Sequence, residues 1–429
     1  MKRYNLPGRT TWKEICCRPA IDRSELTSVV NSILNEVRYK GDTALFDFAK
    51  KFDGVELSSL QVSEQEFCNS EKEITQDLRQ AIELAKRNIY TFHRSQIEKE
   101  QRIETTVGVQ CWRRSVPIEK VGLYIPGGSA PLFSTVLMLG IPAKLAGCKE
   151  IVLCTPPGRD GKINPAILFT AQLVGVTKIF KIGGAQAIAA MTFGSGSVPK
   201  VYKIFGPGNQ FVTKAKEIVQ NEGVAIDMPA GPSELLVVAD KSCVPSFVAA
   251  DLLSQAEHGA DSQVILLSDS SAVIDAVMQE LDNQLPGLSR ARVARESLSG
   301  SRAVLCKDML ECIELSNYYA PEHLIIASQK AEDYINLIIN AGSVFLGNYS
   351  CESAGDYASG TNHTLPTNGY ARNYSGVSLD SFVRKITFQN LSAQGIQNIG
   401  PAIECMAEAE QLFAHKNAVS LRLKSLKNV

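Results

Sequence analysis

Hydrophobic residues recur every three or four positions along the first hundred residues, which is the spacing of an amphipathic helix. The runs from Leu26 to Val37 and from Leu78 to Ala85 both follow this step. Neither run carries a recognisable chemical motif. We therefore predict a mainly helical N-terminal region over residues 1–120, partly packed against the second of two α/β units that follow.

From Val121 onward the pattern changes to short β-rich runs, each closed by a glycine or proline turn and followed by a helical pattern. VGLYI leads into PGG at 126–128, KIFKI into GGAQAI at 183–188, and VYKIF into GPGNQF at 206–211. Strand, turn and helix repeated in this order are typical of a parallel α/β sheet. Later apolar runs predict a second α/β unit, with strands at 235–239, 263–267, 323–327 and 343–347. The residues past about 380 again have a helical pattern.

The composition of the chain indicates which class of molecule it binds. The chain has 429 residues, 45% of them hydrophobic, and a formal net charge of -1. Without a basic excess, nucleic acid and anionic membrane are poor partners, so a small molecule is expected. The eleven cysteines contain no CxxC pair, and no apolar run resembles an export signal or an anchor, so we expect a cytoplasmic protein with reduced thiols.

The glycine turns have two interpretations. At the carboxyl ends of parallel strands, glycines let backbone N–H groups face a phosphate, as in dinucleotide-binding proteins. The GxGxxG pattern is absent, however, because GPGNQF has Phe211 where the third glycine belongs. The turns therefore have either a purely structural role or an atypical dinucleotide site.

Histidines provide the clearest chemical signal. Of the five in the chain, four lie in polar sequence close to a carboxylate or an amide: His258, His323, His363 and His415. Imidazole, carboxylate and amide oxygen are ligands that zinc accepts, and an adjacent Glu322–His323 pair supplies acid and base groups. This pattern favours a metal-assisted enzyme.

Each histidine also has a simpler interpretation. Gln255 and His258 lie three apart on a predicted helix and share a face, as half of a metal site would, but a helix-capping histidine fits as well. Asp356 and His363 fall in GDYASGTNH, which has no apolar periodicity and predicts a loop. His415, five residues after Glu410, is by itself typical of an exposed surface histidine.

Glu322 and His323 stand at the entrance of a predicted strand, where alternation would direct them to opposite faces. A pair that acts on one substrate would need an irregular backbone there, and an ordinary loop before a strand is the alternative. Cys351 has no histidine near it in sequence, so we expect a non-catalytic thiol.

Nine longer strings stand out along the chain: VGLYIPGGSAPLFSTVLM, GGAQAIAA, KIFGPGNQFV, IDMPAGPSE, DLLSQAEHG, PEHLII, AGSVFLG, ESAGDYASGTNHTLPT and AHKNAV. In sequence and in order they resemble the histidinol dehydrogenase family, zinc enzymes that oxidise L-histidinol through L-histidinaldehyde to L-histidine with two NAD. The resemblance extends from about residue 30 to 425. Strings of this length are far more specific than any single motif above.

The resemblance implies a role for particular residues. His323 would be the general base, and Glu322 would activate the water that adds to the aldehyde. The zinc ligands, which also surround the substrate, would be Gln255, His258, Asp356 and His415. The histidinol pocket would further include Ser233, His323, Glu352, His363 and Glu410. The positions that match NAD contacts are Tyr124, Gln186 and Asn209.

The resemblance also implies a homodimer with two incomplete Rossmann-like domains, here 121–232 on the NAD side and 233–380 with the zinc and catalytic residues. A helical tail, 381–429, would reach the neighbouring subunit's site, so that Glu410 and His415 act in trans. Cys351 and Thr364 depart from residues common in the family, Pro and Val. A hydrolytic zinc site with Glu322 polarising water, and a binding protein with structural zinc, are the alternative functions.

Overall fold

The computed structural model describes residues 1–18, 24–127, 131–229 and 231–427, so Gly128 of the first glycine turn lies outside the described residues. The chain divides into two compact units, Met1–Gln96 with Ile118–Phe382, and Ile97–Pro117 with Val383–Val429. The four-segment division drawn from the sequence stays a prediction.

The described strands, in chain order, are β1 (Lys2–Asn5), β2 (Arg102–Thr106), β3 (Val109–Pro117), β4 (Lys120–Tyr124), β5 (Glu150–Thr155), β6 (Lys178–Lys181), β7 (Lys203–Phe205), β8 (Ala225–Ile226), β9 (Glu234–Ala239), β10 (Gln263–Ser268), β11 (Arg302–Leu305), β12 (His323–Ala327), β13 (Ser343–Leu346) and β14 (Val383–Leu391). The described α-helices are α1 (Trp12–Ile15), α2 (Ser24–Lys40), α3 (Asp42–Phe48), α4 (Glu64–Glu73), α5 (Gln76–Arg94), α6 (Phe133–Ala146), α7 (Pro165–Val174), α8 (Gly184–Phe193), α9 (Gln210–Val219), α10 (Pro245–Ala256), α11 (Ser271–Gln284), α12 (Ala291–Ser299), α13 (Met309–Tyr319), α14 (Glu352–Tyr357), α15 (Ala393–Ala409) and α16 (Phe413–Lys427).

The first sheet of the larger unit has the strand order β6-β5-β4-β7-β8, and every pairing in it is parallel. Alternate side chains of its strands enter two different cores, because successive residues of a strand point to opposite faces. Leu123 and Leu153 pack with α5, α6 and α7, whereas Val152 and Cys154 pack with α2, α8 and α9. The sheet is therefore covered by helices on both faces.

The second sheet has the order β1-β11-β10-β9-β12-β13 and is also parallel throughout. Leu235 and Val237 face α10, α11 and α12, while Leu236 and Val238 face α13 and Trp12. Two doubly covered parallel sheets confirm the predicted α/β fold class. The seven strands expected from the apolar runs all form, within one or two residues of the predicted limits.

The smaller unit contains the antiparallel sheet β14-β3-β2 together with α15 and α16. The helical prediction past residue 380 is confirmed from Ala393 onward but is wrong for Val383–Leu391. That segment pairs along its whole length with β3, from Val383 opposite Pro117 to Leu391 opposite Val109. The pairing joins segments more than 260 positions apart, and local sequence spacing carries no sign of it.

Within the described chain, no helix combines the length and apolarity needed to cross a membrane. The apolar run near Leu132 forms α6, whose residues Ser134–Ala143 are all buried under the first sheet. The eleven cysteines, all among the described residues, are free thiols.

Candidate active site and metal centre

A cavity of about 870 Å³, here called the catalytic cavity, opens between the two parallel sheets of the larger unit. The first sheet contributes residues that follow its strands, such as Pro126 after β4 and Asn209 after β7. The second sheet contributes residues that precede its strands, such as Ser233 before β9 and Glu322 before β12. Carboxyl ends of one sheet thus face amino ends of the other, and polar groups from both meet there.

His258, Glu352 and Asp356 each direct one donor atom to a common point, and the three atoms lie within 4.8 Å of one another. His258 follows the end of α10, whose buried residues Val248, Leu252 and Ala256 pack against the second sheet. Glu352 and Asp356 are four residues apart on α14 and therefore share a helical face. The prediction of a loop over GDYASGTNH is wrong for residues 355–357, which end a short helix that forms without apolar periodicity, and is confirmed for residues 358–363.

Gln255 is 1% exposed and lies beside this cluster. In the amide orientation that its neighbours favour, its nitrogen donates to both carboxylate oxygens of Glu352. Its oxygen then accepts from the backbone N–H of Glu234 at 3.2 Å. Gln255 and His258 therefore reach the same corner of the cavity, as their three-residue spacing predicts.

Glu322 and His323 are both buried and both line the catalytic cavity. Glu322 Oε2 lies 3.6 Å from His323 Nδ1, so the expectation that the two side chains point to opposite faces is wrong. Strand β12 begins only at His323, and Ala320 just before it has a left-handed φ of 57°. This conformation is uncommon for a residue with a Cβ and supplies the irregular backbone that such a pair requires.

The environment of His323 is strongly anionic. Burial alone lowers its pKa, but the carboxylates of Glu322, Glu352 and Asp356 outweigh burial and hold that pKa well above its usual range. For Asp356, burial raises the pKa, but His323, His363 and His258 together hold it below its usual range. His323 Nε2 makes no hydrogen bond among the described residues, and the nearest carboxylate oxygen, of Asp356, is 3.6 Å away.

His363 is fixed at both ring nitrogens. Its Nε2 lies 3.1 Å from Thr135 Oγ1 of α6, and its Nδ1 lies 2.9 Å from the backbone oxygen of Asp356. Burial lowers the pKa of His363, against the opposing effect of the Asp356 carboxylate. A neutral imidazole is thus held at the wall of the cavity, linking α6 of the first sheet to α14.

A second cavity of about 930 Å³, here called the dinucleotide cavity, adjoins the first, and Pro126 and Asn209 line both. Tyr124 and Gln186 also line it. The Tyr124 hydroxyl accepts a hydrogen bond from Gly184 N at 3.0 Å, and Asn209 caps α9 by accepting from Phe211 N and Val212 N. Tyr124, Gln186 and Asn209 thus line one cavity beside the glycine turns, and their contact with NAD stays a prediction.

The turn before Asn209 requires glycine. Gly206 has a φ of 123°, and a Cβ there would lie 2.0 Å from the backbone oxygen of Tyr124. The buried pair of Lys216 and Asp227 holds this glycine from both sides, since Lys216 Nζ donates to Gly206 O and Gly206 N donates to Asp227 Oδ2, each at 2.8 Å. The turn is therefore rigidly positioned.

Glu410 and His415 belong to the smaller compact unit. Glu410 is the C-terminal capping residue of α15, His415 lies in the first turn of α16, and both are exposed. Their predicted roles stay predictions.

Sequence reasoning did not find Arg18, Thr135 and Glu234. Arg18 and Thr135 line the catalytic cavity, and Glu234 contacts both Glu322 and His323 through its backbone. Arg18 lies outside any motif, whereas Thr135 and Glu234 fall inside the quoted strings SAPLFSTVLM and PAGPSE. Those two strings were therefore the only signal that could have pointed to them.

Comparison with known proteins gives a consistent result. The family model "Histidinol dehydrogenase" matches residues 16–423. A histidinol dehydrogenase of Bacteroides thetaiotaomicron is 59% identical over 427 residues, and the match covers 100% of both chains. A histidinol dehydrogenase of Escherichia coli is 52% identical over 418 residues, and the match covers 97% of this chain and 95% of the relative. The crystal structure of histidinol dehydrogenase from Elizabethkingia anophelis is similar with a TM-score of 0.98 and 58% identity, covering 100% of this chain and 99% of the other.

Proposed function

Since the chain belongs to the histidinol dehydrogenase family, we propose that it oxidises L-histidinol through L-histidinaldehyde to L-histidine, with zinc bound in the catalytic cavity and NAD in the dinucleotide cavity. The observation that carries this proposal is the meeting of an acid–base pair, Glu322 and His323, with the donor cluster of His258, Glu352 and Asp356 in one cavity. An amino alcohol held by such a cluster would present its hydroxyl carbon to the pair.

The residues present fit a zinc ion. One imidazole and two carboxylates converge, and the buried amide of Gln255 stands next to them, which is a donor set that zinc accepts. We propose Gln255, His258 and Asp356 as ligands, with His415 supplied by the tail of a second subunit. Zinc bound there would orient the substrate and, by its positive charge, offset the carboxylate field that raises the pKa of His323.

His323 Nε2 is the atom that we assign as general base. Nδ1 lies 3.3 Å from the backbone oxygen of Glu234, which favours the tautomer with the proton on Nδ1 and leaves Nε2 as an acceptor. In the first oxidation, Nε2 takes the proton of the alcohol as hydride leaves the carbon. After His323 has released this proton to solvent, Glu322 takes a proton from the water that adds to the aldehyde, and the carbonyl oxygen gains a proton in return to give the hydrate. In the second oxidation, His323 accepts the hydroxyl proton of the hydrate, so each of the two oxidations releases one proton and one hydride.

The dinucleotide cavity has the position and lining that a hydride acceptor needs. It meets the catalytic cavity at Pro126 and Asn209, and Asn209 follows the glycine turn held by Lys216 and Asp227. NAD bound there would supply the acceptor for both oxidations. Tyr124, Gln186 and Asn209 would contact it, while Ser233, Glu352, His363 and Glu410 would surround histidinol.

The direct test is NADH formation from purified protein given L-histidinol and excess NAD, before chelation, after chelation and after zinc is added back. Two NADH per histidinol, lost on chelation and recovered with zinc, are expected. One NADH per histidinol would contradict the four-electron reaction. No NADH from folded, zinc-loaded protein would instead favour a hydrolytic or a structural zinc site.

A further inference from the structure

One backbone unit contacts both members of the acid–base pair. The N–H of Glu234 donates to Glu322 Oε2 at 2.9 Å, and the carbonyl of the same residue lies 3.3 Å from His323 Nδ1. Glu234 is the first residue of β9, which pairs with β12 in the register His323 opposite Leu235. The position of this single peptide segment therefore sets the position of both functional groups.

The side chain of Glu234 is anchored in turn. It is 2% exposed, its Oε1 and Oε2 accept from Arg18 Nε and Nη2, and its Oε1 also accepts from Asn368 N at 2.9 Å. Burial raises the pKa of Glu234, and the guanidinium of Arg18 opposes that effect. A paired guanidinium fork is the geometry that best fixes a carboxylate.

Arg18 also contacts the backbone of Tyr319 and Ala320, the segment just before Glu322 and His323. Its Nη2 donates to the backbone oxygens of Tyr319 at 2.9 Å and Ala320 at 3.3 Å, and its guanidinium carbon stands 3.9 Å from the centre of the Tyr319 ring. Ala320 is the left-handed residue that turns Glu322 toward the cavity. The Arg18 side chain therefore links the first residue of β9 to the backbone just before β12.

We propose that Arg18 is a positioning residue for the oxidation, and that through Glu234 and the Tyr319–Ala320 backbone it keeps Glu322 and His323 in their working geometry. The proposal rests on the function proposed above. It predicts that removing the guanidinium slows the chemical steps without weakening substrate binding, because Arg18 acts on the pair and not on the substrate.

The experiment compares Arg18→Ala with Arg79→Ala in the full-length, zinc-loaded protein. Arg79 is a matched control: it pairs with Glu71, donates to a backbone oxygen and lies 5.5 Å from the Phe169 ring, outside both cavities. For Arg18→Ala we expect kcat to fall about 100-fold, as for a displacement of about 1 Å at a catalytic group. KM for L-histidinol should stay within about threefold of the parent, and for Arg79→Ala kcat should stay within about twofold.

Added guanidinium chloride or methylguanidine, at concentrations that leave the parent active, should restore at least about a tenth of the lost kcat in Arg18→Ala and none in Arg79→Ala. A parental kcat in Arg18→Ala, a loss of activity confined to KM, or a loss that guanidinium does not restore would each overturn the proposal. If Arg18→Ala does not fold, Arg18→Lys replaces it; this variant keeps the charge without the fork, and a parental kcat there would equally overturn the proposal.

A structural readout separates this inference from the proposed function. If the parent forms no NADH, the function fails, but a crystal structure of Arg18→Ala or Arg18→Lys still tests the positioning. We expect the contact between Glu234 N and Glu322 Oε2 to lengthen beyond hydrogen-bond distance. An unchanged contact would contradict the inference whatever the activity.

Discussion

Two buried histidines in this chain have opposite acid–base properties because their neighbours differ. His323 is surrounded by carboxylates, which raise its pKa in spite of burial. His93 has no carboxylate among the contacts that shift its pKa: burial lowers that pKa, and the hydrogen bond to Gln96 opposes burial only in part. The carboxylates around His323, and not its burial, therefore distinguish it from His93.

His93 makes the stability of the fold depend on pH. Its Nδ1 lies 3.1 Å from Gln96 Oε1 and its Nε2 lies 3.4 Å from Asn362 Nδ2, contacts that suit the neutral ring. Because its pKa is lower in the fold than in the unfolded chain, the stabilisation is complete above an unfolded-state pKa of about 6.5 and is lost as pH falls through that value toward the folded pKa. We expect the Tm of the parent to fall more steeply between pH 7 and pH 5.5 than that of His93→Gln. Equal slopes in the two proteins would refute this role for His93.

His258 is the residue on which the zinc assignment depends most directly, since it is the imidazole of the donor cluster. We expect His258→Ala to hold at least about tenfold less zinc than the parent after dialysis, measured by metal analysis, because one of three converging donors is lost. His93→Gln is the control, because it changes a buried histidine outside the cluster and should keep its zinc. Full zinc in His258→Ala would remove this ligand from the assignment.

His323→Ala distinguishes a base from a ligand. If His323 moves the protons, the variant should keep the parent's zinc content and fold while kcat falls by about 10²–10⁴-fold. Loss of zinc together with activity would assign His323 to the metal instead.

At the scale of elements, the sequence allowed part of the site to be predicted. The turns after β4, β6 and β7 could be predicted because a buried strand followed by glycine has few alternatives. Helix α14 could not be predicted, because its six residues are too few to show helical periodicity. The orientation of Glu322 could not be predicted either, because it depends on the left-handed backbone conformation of Ala320. An alanine in the sequence does not indicate that conformation. The Arg18–Glu234 pair joins positions 216 residues apart, so no local pattern contains it.

The glycine turn offers a test at the same scale. Lys216→Met leaves the carboxylate of Asp227 buried without its cation and frees Gly206 O, so we expect a loss of about 3–5 kcal/mol in the free energy of unfolding. The weaker turn should also raise the Kd for NAD, measured by calorimetry on protein that is still folded. Lys178→Met is the control: it removes a half-exposed pair with Glu150 in the same sheet, and about 0–1 kcal/mol is expected there. Equal losses in the two variants would mean that the buried pair has no special part in holding the turn.

At the scale of the whole molecule, the sequence predicted the two parallel sheets and the helices α15 and α16, but not the antiparallel sheet of the smaller unit. The central strands of the parallel sheets, such as β4, β9 and β12, are buried on both faces and read as apolar runs between turns, whereas the edge strand β1 is mostly exposed and has no such run. Strand β14 has only partly buried and exposed residues over its nine positions, and its partner β3 lies more than 260 positions earlier in the chain. Pairing over such a distance depends on the completed fold, which periodicity alone does not describe.

The proposed contribution of the tail to a neighbouring active site would be a property of the assembly, and hybrid dimers test it. We expect Glu322→Gln and His415→Ala each to be inactive alone. The two variants are co-expressed with different affinity tags, and the hybrid dimer is purified through both tags. If the sites are shared in trans, one site of the hybrid has both native residues, because one subunit supplies Glu322 and the other supplies His415. The hybrid should then have about half the parental activity per dimer.

A hybrid of Glu322→Gln with His323→Ala is the control, since both changes lie on the larger unit and should leave neither site complete. Size-exclusion chromatography with light scattering establishes that the hybrids are dimers. Activity no higher in the first hybrid than in the second would mean that Glu322 and His415 are not combined across subunits.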